Sequence, residues 1–574
     1  MNATATYGVP HQWSRCDSSR TSQRTCVDYS LRSAFLVPRS QDYLLQVTPV
    51  VDSLSKDDNL YGLTSKWPVA LDLTGLEGEI GDLVAMGEIP KEITGTFYRV
   101  MCDPFVPPHP DNVPLDGDGS IQAFRVKDGR VDVKMRYIET ERYKLERKAN
   151  KALFGLYRNP FTHHPCVRAA VDSTANTNLV YWADHLLALE EGALPYAVDP
   201  HTLETRGYDP FEKQNVESKT FTAHPKVDPY TEELVVFGYE AKGVASKDIV
   251  VYHLDKNGNK YDEQWIEAPW PALIHDSAIT TNFLILVLWP FEASVERMKQ
   301  GKQHWAWDYK LPATFIVVPR RKTSAQAAGW QEDEHRVYPW RNCMPIHTAG
   351  AWEEDDGHGS KNVFVESSRV HDNALPFFPP DDGTMPAADA KADFVRWSLD
   401  LCKPSGTLLP DPRVVLDLPS EFPRIDERLM TTAYNTVFLC VFLPDAADGS
   451  KNIFHGLNAL AMHDHGSNTT RFFYAGDDAL VQEPVFVPRT TDASEADGWV
   501  LAMVERRAAN RNDLIVVDTR QFERPVAIVQ LPFHVKSQIH GNWVEAERLG
   551  TMQSIVREAG DVTISKKGAL EPFA

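Results

Sequence analysis

The sequence predicts an all-β protein, and two observations support this fold class. Short apolar segments recur along most of the 574 residues, and clusters of Gly, Asp, Asn and Pro separate them. These segments are rich in Val, Ile, Phe, Tyr and Leu, a composition typical of strands. Only residues 141–156 show a convincing helical pattern, with apolar residues at steps of three and four. Helix is therefore expected to contribute little to the fold.

The strands follow one another without an interior linker. In chain order the clearest are 179–182, 186–189, 234–239, 249–253, 264–266, 283–288, 314–318, 363–366, 437–442, 459–463, 471–474, 485–487, 500–504, 514–517 and 527–530. A single sandwich is too small for this number of strands, so a β-propeller or several β-domains in series remain. No repeat of about 40–50 residues is visible, which argues against WD40 and kelch arrays.

The chain divides into two parts by composition. Residues 1–65 are polar and aperiodic, and we predict an N-terminal extension there; residues 66–574 are uniform and are predicted to form one domain. The first forty residues contain five arginines and many Ser and Thr, faintly like a mitochondrial transit peptide, but a disordered tail is favoured. A cytoplasmic location is therefore predicted, with a mitochondrial one as the alternative.

Charge and hydropathy exclude several classes of protein. With 59 basic and 80 acidic side chains the formal charge is −21, which argues against nucleic acid and against a polybasic membrane contact. The strongest apolar run, 282–291, is half the roughly 20 residues of a membrane span. The seven cysteines form no CxxC pair, so a zinc ribbon and a disulfide framework are both disfavoured.

Four of the 19 histidines stand at junctions between a loop and a strand: His224, His275, His347 and His540. In a propeller the inner strands converge on the axis, so one histidine from each of several blades could meet at a single metal ion. The alternative for each is a hydrogen-bonded core residue. Spacings of 51, 72 and 193 residues match no local metal motif.

Several segments, taken in order, resemble the carotenoid cleavage oxygenase family, and within it the lignostilbene and phenylpropenoid dioxygenase branch. The resemblance runs from about residue 95 to residue 545, and its segments are 95–100, 112–125, 174–178, 186–196, 221–243, 274–291, 347–352, 420–426, 475–489 and 531–545. It implies a seven-bladed β-propeller with a cap of helices and loops over an iron ion on the axis.

The resemblance also implies the metal site. By position, His224, His275, His347 and His540 match four ligands of one Fe(II) per chain. Glu191, Glu421 and Glu483 match glutamates that hydrogen-bond three of the imidazoles, and Thr177 matches a residue beside an open coordination position. Imidazole suits iron, and carboxylates on the far ring nitrogens would orient the rings. Without the resemblance these three glutamates would be read as surface or strand-edge carboxylates.

The implied reaction is oxidative scission of a carbon–carbon double bond by O2, with both oxygen atoms entering two carbonyl products. The implied partners are O2 and a small hydrophobic or aromatic alkene. Three alternatives stay open: cleavage of a carotenoid or apocarotenoid, isomerisation, and a catalytically silent binding scaffold. The expected tunnel-mouth insertion, residues 292–310, is mostly polar, which favours a soluble aromatic substrate over contact with a membrane.

Three positions match the pocket in which relatives hold a 4-hydroxyphenyl ring. Tyr157 is kept, whereas Glu190 stands where a Lys is expected and Leu115 where a Phe is expected. Glu190 would favour a neutral phenol or alcohol and could accept its proton, and loss of the Phe removes an aromatic wall. Both departures argue against a stilbene within this substrate class and leave smaller phenylpropenoids, such as isoeugenol or coniferyl alcohol, as candidates. The alternative for Glu190 is a solvated strand residue.

Overall fold

Seven antiparallel sheets follow one another along the chain in the computed structural model, which describes residues 46–49, 76–214, 217–355, 361–387, 390–443, 456–476, 479–507 and 509–557.

The first half of the chain forms strands β1 (Gln46–Pro49), β2 (Leu76–Ile80), β3 (Ala85–Gly87), β4 (Gly95–Cys102), β5 (Gly119–Lys127), β6 (Arg130–Tyr137), β7 (Asn178–Trp182), β8 (His185–Leu189), β9 (Tyr196–Val198), β10 (Thr205–Tyr208), β11 (Lys226–Asp228), β12 (Glu233–Tyr239), β13 (Asp248–Leu254), β14 (Lys260–Glu267), β15 (Ala272–Leu273), β16 (Ser277–Ile279) and β17 (Phe283–Ala293).

The second half forms β18 (Trp305–Trp307), β19 (Thr314–Pro319), β20 (Arg336–Pro339), β21 (Met344–Asp355), β22 (Lys361–Val370), β23 (Ala392–Asp400), β24 (Arg413–Leu416), β25 (Ser420–Arg424), β26 (Thr436–Val441), β27 (Ala459–Asp464), β28 (Thr469–Tyr474), β29 (Ala479–Val481), β30 (Val485–Pro488), β31 (Gly498–Arg506), β32 (Arg511–Asp518), β33 (Pro525–Gln530) and β34 (Gln538–Glu545).

The sheets are the blades of a propeller that both ends of the chain close. Blade 1 has the order β1-β2-β6-β5-β4-β34, so the last strand pairs with an early one. Blades 2 to 6 are built in chain order from β7–β10, β11–β14, β15–β20, β21–β24 and β25–β28. Blade 7 has the order β29-β31-β32-β33-β3, with β30 also on β31. This topology confirms the seven-bladed propeller over β-domains in series.

The inner strands of neighbouring blades contact one another around the axis. Strands between the inner and outer edges are largely buried, and β12 and β19 are buried along their whole length, because a neighbouring blade packs on each face. The hydrophobic cores accordingly lie between blades. This explains why the sequence shows continuous apolar runs rather than strict alternation.

The predicted helix is shorter than its apolar pattern. Helix α1 spans Glu141–Ala149, with the Thr140 hydroxyl accepting a hydrogen bond from the Tyr143 backbone at its start. It ends at Asn150, whose left-handed backbone (φ 50°) stops the helix, so the expected extension to residue 156 is wrong. The following turn is held instead by the Glu146 carboxylate, which accepts from the backbone N–H groups of Leu153 and Phe154 at 2.7 and 2.9 Å.

The predicted cap is formed by long connections at one end of the propeller. Its parts are residues 103–118, 138–177, 292–310 and 372–387, which contain α1 and α2 (Val295–Lys299). Asn159 joins two of them, since its amide donates to Met298 O at 3.0 Å and Lys302 O at 2.7 Å. The described residues contain two further α-helices, α3 (Lys322–Ala328) and α4 (Ala546–Leu549).

Three further predictions concern membrane-spanning helices, the cysteines and the domain boundary. No helix among the described residues is long and apolar enough to cross a membrane. Their five cysteines are all free: Cys102, Cys166, Cys343, Cys402 and Cys440. The domain boundary predicted at residue 65 lies outside the described residues and stays a prediction.

Candidate metal centre

Four inner strands bring the four predicted histidines to the propeller axis. His224 immediately precedes β11, and His275 lies between β15 and β16. His347 lies in β21 and His540 in β34. The four come from blades 3, 4, 5 and 1, so each reaches the axis from a different direction.

The geometry of the cluster fits one metal ion. One nitrogen from each of His224, His275, His347 and His540 lies within 4.8 Å of all the others, and the described residues contain no other such group. The Nε2 atom of His275 is 3.1 Å from that of His224 and 3.0 Å from that of His347. Two ligands about 2.1 Å from a metal and at right angles are about 3.0 Å apart, which matches these distances. The alternative of four unrelated core histidines is wrong.

Three buried glutamates hold three of the rings, as predicted from the resemblance. Glu191 accepts from His275 Nδ1, Glu421 from His347 Nδ1, and Glu483 from His540 Nδ1 at 3.2 Å. Because a carboxylate only accepts, each contact places the proton on Nδ1 and leaves the Nε2 lone pair for a metal. The alternative of surface carboxylates is wrong, since their exposed fractions are 7, 5 and 4%.

Further polar groups fix these glutamates, and sequence reasoning missed them. The Tyr239 hydroxyl donates to Glu191 Oε2 at 2.6 Å, and Arg158 Nη1 donates to that hydroxyl at 2.8 Å. Ser368 donates to Glu421, and Arg424 donates to Glu483 Oε1 at 3.1 Å. Residues 158 and 239 are far apart in sequence. The only sequence feature that could have pointed to Arg158 is that it follows Tyr157, a predicted substrate residue.

Electrostatics favour a neutral His224 ring and ionised glutamates. Burial and the three neighbouring imidazoles hold the pKa of His224 well below its ordinary value, so this ring is neutral at pH 7. Burial raises the pKa of Glu483, but His540 and Arg424 outweigh it and lower the pKa to about 2. The pKa of Glu191 is likewise lowered, because His275 and Tyr239 outweigh burial. Neutral imidazoles are the form in which histidine binds metals.

Thr177 lies at the start of the inner strand of blade 2. Its neighbour Asn178 donates to Ala223 O at 2.8 Å and accepts from the Asn542 amide at 3.0 Å. Residues 223 and 542 lie next to His224 and near His540 in the chain, so these hydrogen bonds tie the Thr177 backbone to the histidine cluster. Its predicted role beside an open coordination position stays a prediction.

Two of the predicted substrate residues, Tyr157 and Glu190, are close to each other. Burial and then the Glu190 carboxylate raise the pKa of Tyr157 well above its ordinary value. Among the described residues neither the Tyr157 hydroxyl nor Glu190 Oε2 has a hydrogen-bond partner, although Oε2 is buried. A buried polar atom without a partner is rare and points to a missing ligand or water.

Glu190 is 5% exposed, so its alternative as a solvated strand residue is wrong. Its Oε1 atom accepts from the Gly192 backbone N–H at 2.9 Å. Leu115 packs at the edge of the same hydrophobic cluster as Tyr157, where Phe378 lies 6.2 Å from the Tyr157 ring. The surroundings are thus apolar, with one hydroxyl and one carboxyl oxygen left to bind a polar group.

Glu190→Gln is expected to change stability only at high pH. Burial raises the pKa of Glu190 from 4.5 to about 7. The folded state therefore holds the proton more tightly than the unfolded chain, and this stabilisation, complete below pH 4.5, is lost as pH rises through 7. Glutamine carries no such loss, so the variant should be more stable than wild type at pH 8.5 by about 3 kcal/mol, and similar at pH 4.5. Denaturant unfolding at both pH values measures this.

The matched control is Glu232→Gln, because Glu232 is exposed with a side-chain accessibility of 71%. Equal pH dependence of stability in wild type and Glu190→Gln would show that Glu190 is not a buried, titrating group.

The predicted tunnel-mouth insertion is only partly polar. Trp305 and Trp307 are buried in β18, and the fully buried His304 contacts the Glu240 carboxylate at 2.9 Å. The exposed residues of the segment are nevertheless mostly charged or polar, as expected: Glu292, Glu296, Lys299, Gln300, Lys302 and Lys310.

Known proteins share this fold and most of this sequence. The family model described as retinal pigment epithelial membrane protein matches residues 75–545. Resveratrol cleavage oxygenase 1 of Botryotinia fuckeliana is 66% identical over 534 residues, which cover 92% of this chain and 95% of that protein. Isoeugenol monooxygenase of Pseudomonas nitroreducens is 37% identical, covering 82% of this chain and 96% of that one. The crystal structure of Pseudomonas brassicacearum lignostilbene dioxygenase superposes with a TM-score of 0.76 at 36% identity, over 83% of this chain and 97% of that one.

Proposed function

Because the chain belongs to the retinal pigment epithelial membrane protein family of carotenoid cleavage oxygenases, we propose that it cleaves the central double bond of a hydroxystilbene such as resveratrol into two aldehydes. The observation that supports this most is the convergence of four imidazole nitrogens within 4.8 Å of one another. The chain is an oxidoreductase that acts on an alkene, and its co-substrate is O2. The 66% identity to a resveratrol cleavage oxygenase supports the choice of a stilbene.

We propose His224, His275, His347 and His540 as the ligands of one Fe(II) per chain. Four neutral imidazoles leave the ion its full charge, and they suit iron among the first-row metals. Iron bound there would activate O2. Zinc could not replace it, because zinc has no redox chemistry. The Nδ1 contacts of Glu191, Glu421 and Glu483 keep three rings in the ligating tautomer.

The remaining residues bind and orient the substrate. The Tyr157 hydroxyl and Glu190 Oε2 are proposed to hydrogen-bond the 4-hydroxyl group of the phenyl ring, since both lack a partner among the described residues. Leu115 and Phe378 would form the apolar walls of the ring pocket. Thr177 is proposed to restrict the space beside an open coordination position.

A smaller phenylpropenoid such as isoeugenol is the second candidate substrate. The 37% identity to an isoeugenol monooxygenase supports it. With Leu115 in place of a phenylalanine, the pocket can also hold a substrate that has only one aromatic ring. The same experiment also tests three alternatives: cleavage of a carotenoid, isomerisation of the double bond, and a binding scaffold without activity.

The test is aerobic incubation of the iron-loaded full chain with resveratrol, isoeugenol and a β-apocarotenal, followed by mass spectrometry of the aldehydes. We expect 4-hydroxybenzaldehyde and 3,5-dihydroxybenzaldehyde from resveratrol, with kcat/KM at least about tenfold above that for isoeugenol. Cleavage of the apocarotenal alone would overturn the aromatic substrate, and a shifted double bond without cleavage would indicate an isomerase.

We also propose that residues 66–574 form a single domain and that the protein is cytoplasmic. The continuous ring of blades supports the first proposal. The free cysteines of the described residues support the second, since reduced thiols are typical of the cytosol.

A further inference from the structure

A cavity reaches two of the four histidines from the side away from the cap. It has a volume of about 270 Å3, and its lining includes His224 and His347 but none of Leu115, Tyr157 or Glu190. Most of its other residues follow the ligands along the inner strands, as Ala349 follows His347 in β21. The cavity therefore extends along the axis away from the substrate pocket.

Charged residues form part of the lining of this axial cavity, beside apolar ones. Lys226 pairs with Asp276 at 2.7 Å, and Arg424 binds both Glu427 and Glu483. Glu427, whose side-chain accessibility is 58%, lies where the cavity meets solvent. Such a wall suits water and hydrated ions and does not suit an apolar alkene. Six waters occupy about 180 Å3 at about 30 Å3 each, so a hydrated divalent ion fits.

The cap side of the ligands is of opposite character. The Trp289 ring lies 5.0 Å from the His275 ring, and Phe291 and Phe378 pack 6.1 Å apart beside it. A hydrated cation would have to shed its water to pass these packed aromatic rings, which is costly. The axial cavity is thus the polar path to the four histidines.

Phe422 lies against both the axial cavity and two of the four histidines. It lines the cavity, and its ring stacks on His347 at 5.3 Å and contacts His540 at 5.6 Å. Its backbone is left-handed (φ 53°), at a register shift between Glu421 and Arg424 in β25. A bulky residue at positive φ is strained, and such strain is kept where the side chain has a function.

We infer that the axial cavity is the route by which a hydrated divalent metal ion reaches the four histidines, and that the Phe422 ring is the gate of this route. The inference rests on the proposed metal centre. When the ring is in place it covers the His347 and His540 rings and retains the ion. Rotation of the ring opens the cavity to the ligand nitrogens, and the Glu427 carboxylate offsets the Arg424 charge at the mouth.

The test measures the rates of Co(II) binding and release by the full chain after its metal has been removed with a chelator. In Phe422→Gly the glycine suits the left-handed backbone, and loss of the ring opens the route. We therefore expect the association and dissociation rates of Co(II) both to rise about tenfold, with little change in Kd. Phe422→Leu keeps a plug and should stay near wild type. The matched control is Phe486→Ala, because Phe486 also lines the cavity but stacks on Phe438 at 5.4 Å.

A gate and a structural role give different results. If Phe422 only supports the ligands, Phe422→Gly should quicken dissociation alone and weaken Kd, which would overturn the gate. Glu427→Lys provides a second variant, expected to slow association about fivefold relative to Glu232→Lys. Unchanged association in both Phe422→Gly and Glu427→Lys would overturn the route while leaving the metal centre intact. Wild-type chain that binds no Co(II) or iron would overturn the metal centre and the route together.

Discussion

His275→Ala is expected to leave the chain without bound iron and without measurable cleavage of resveratrol. The His275 Nε2 atom lies 3.1 Å from that of His224 and 3.0 Å from that of His347, so it joins the cluster from the side of blade 4. Its loss removes a ligand and leaves the Glu191 carboxylate buried without its imidazole partner. Loss of an outer-shell partner already costs about 10–100-fold in metal affinity, and loss of a ligand should cost more.

Metal content by plasma mass spectrometry and aldehyde formation are the two measurements for His275→Ala. His185→Ala is the control, because His185 lies in the β7–β8 hairpin and contacts Arg206 at 3.2 Å, away from the axis. The control should keep one iron per chain and full activity. An active His275→Ala protein without metal would rule out the metal centre.

Removal of the hydrogen-bond donor from the substrate is expected to have the second large effect. We expect the methyl ether 4-methoxystilbene to be cleaved with a kcat/KM at least about 100-fold below that of the phenol 4-hydroxystilbene. The ether cannot donate to Glu190 Oε2, which is buried and without a partner among the described residues. Binding the ether would leave that oxygen unpaired and would crowd the Tyr157 hydroxyl.

The same contact predicts a pH profile. The pKa of Glu190 is raised to about 7 by burial, so the carboxylate that accepts from the phenol forms as pH rises through that value. Cleavage of the phenol should therefore show a kcat/KM that rises through pH 7, whereas cleavage of the ether should not. Glu190→Ala and Tyr157→Phe should narrow the preference for the phenol, with Glu232→Gln as the control. An unchanged preference in both variants would show that neither residue binds the hydroxyl group.

The strands of the fold were predictable from the sequence, but their arrangement was not. Apolar runs such as 283–288 and 314–318 coincide with β17 and β19, because the same residues that favour strands are buried between blades. Nothing in those runs states which strand pairs with which, and the closure of β34 onto β4 joins segments from opposite ends of the chain. The number of blades followed only from the resemblance.

The residues of the site could also be predicted only in part from the sequence. The four histidines are separated by 51, 72 and 193 residues, and only a closed ring of blades makes such distant positions neighbours. Arg158, Tyr239 and Phe422 were missed because their contacts depend on that ring. The helix at residue 141 was extended too far because apolar spacing continues past Asn150, whereas the backbone there turns left-handed.

The most direct test of the proposed reaction is cleavage of resveratrol by the Fe(II)-loaded chain under ¹⁸O2, with the aldehydes trapped as they form. An oxygenase that places an alkene beside four histidine ligands should yield both hydroxybenzaldehydes, each with one labelled oxygen, at one iron per chain. Intact resveratrol in the presence of one bound iron per chain, or label in only one of the two aldehydes, would contradict the proposed reaction.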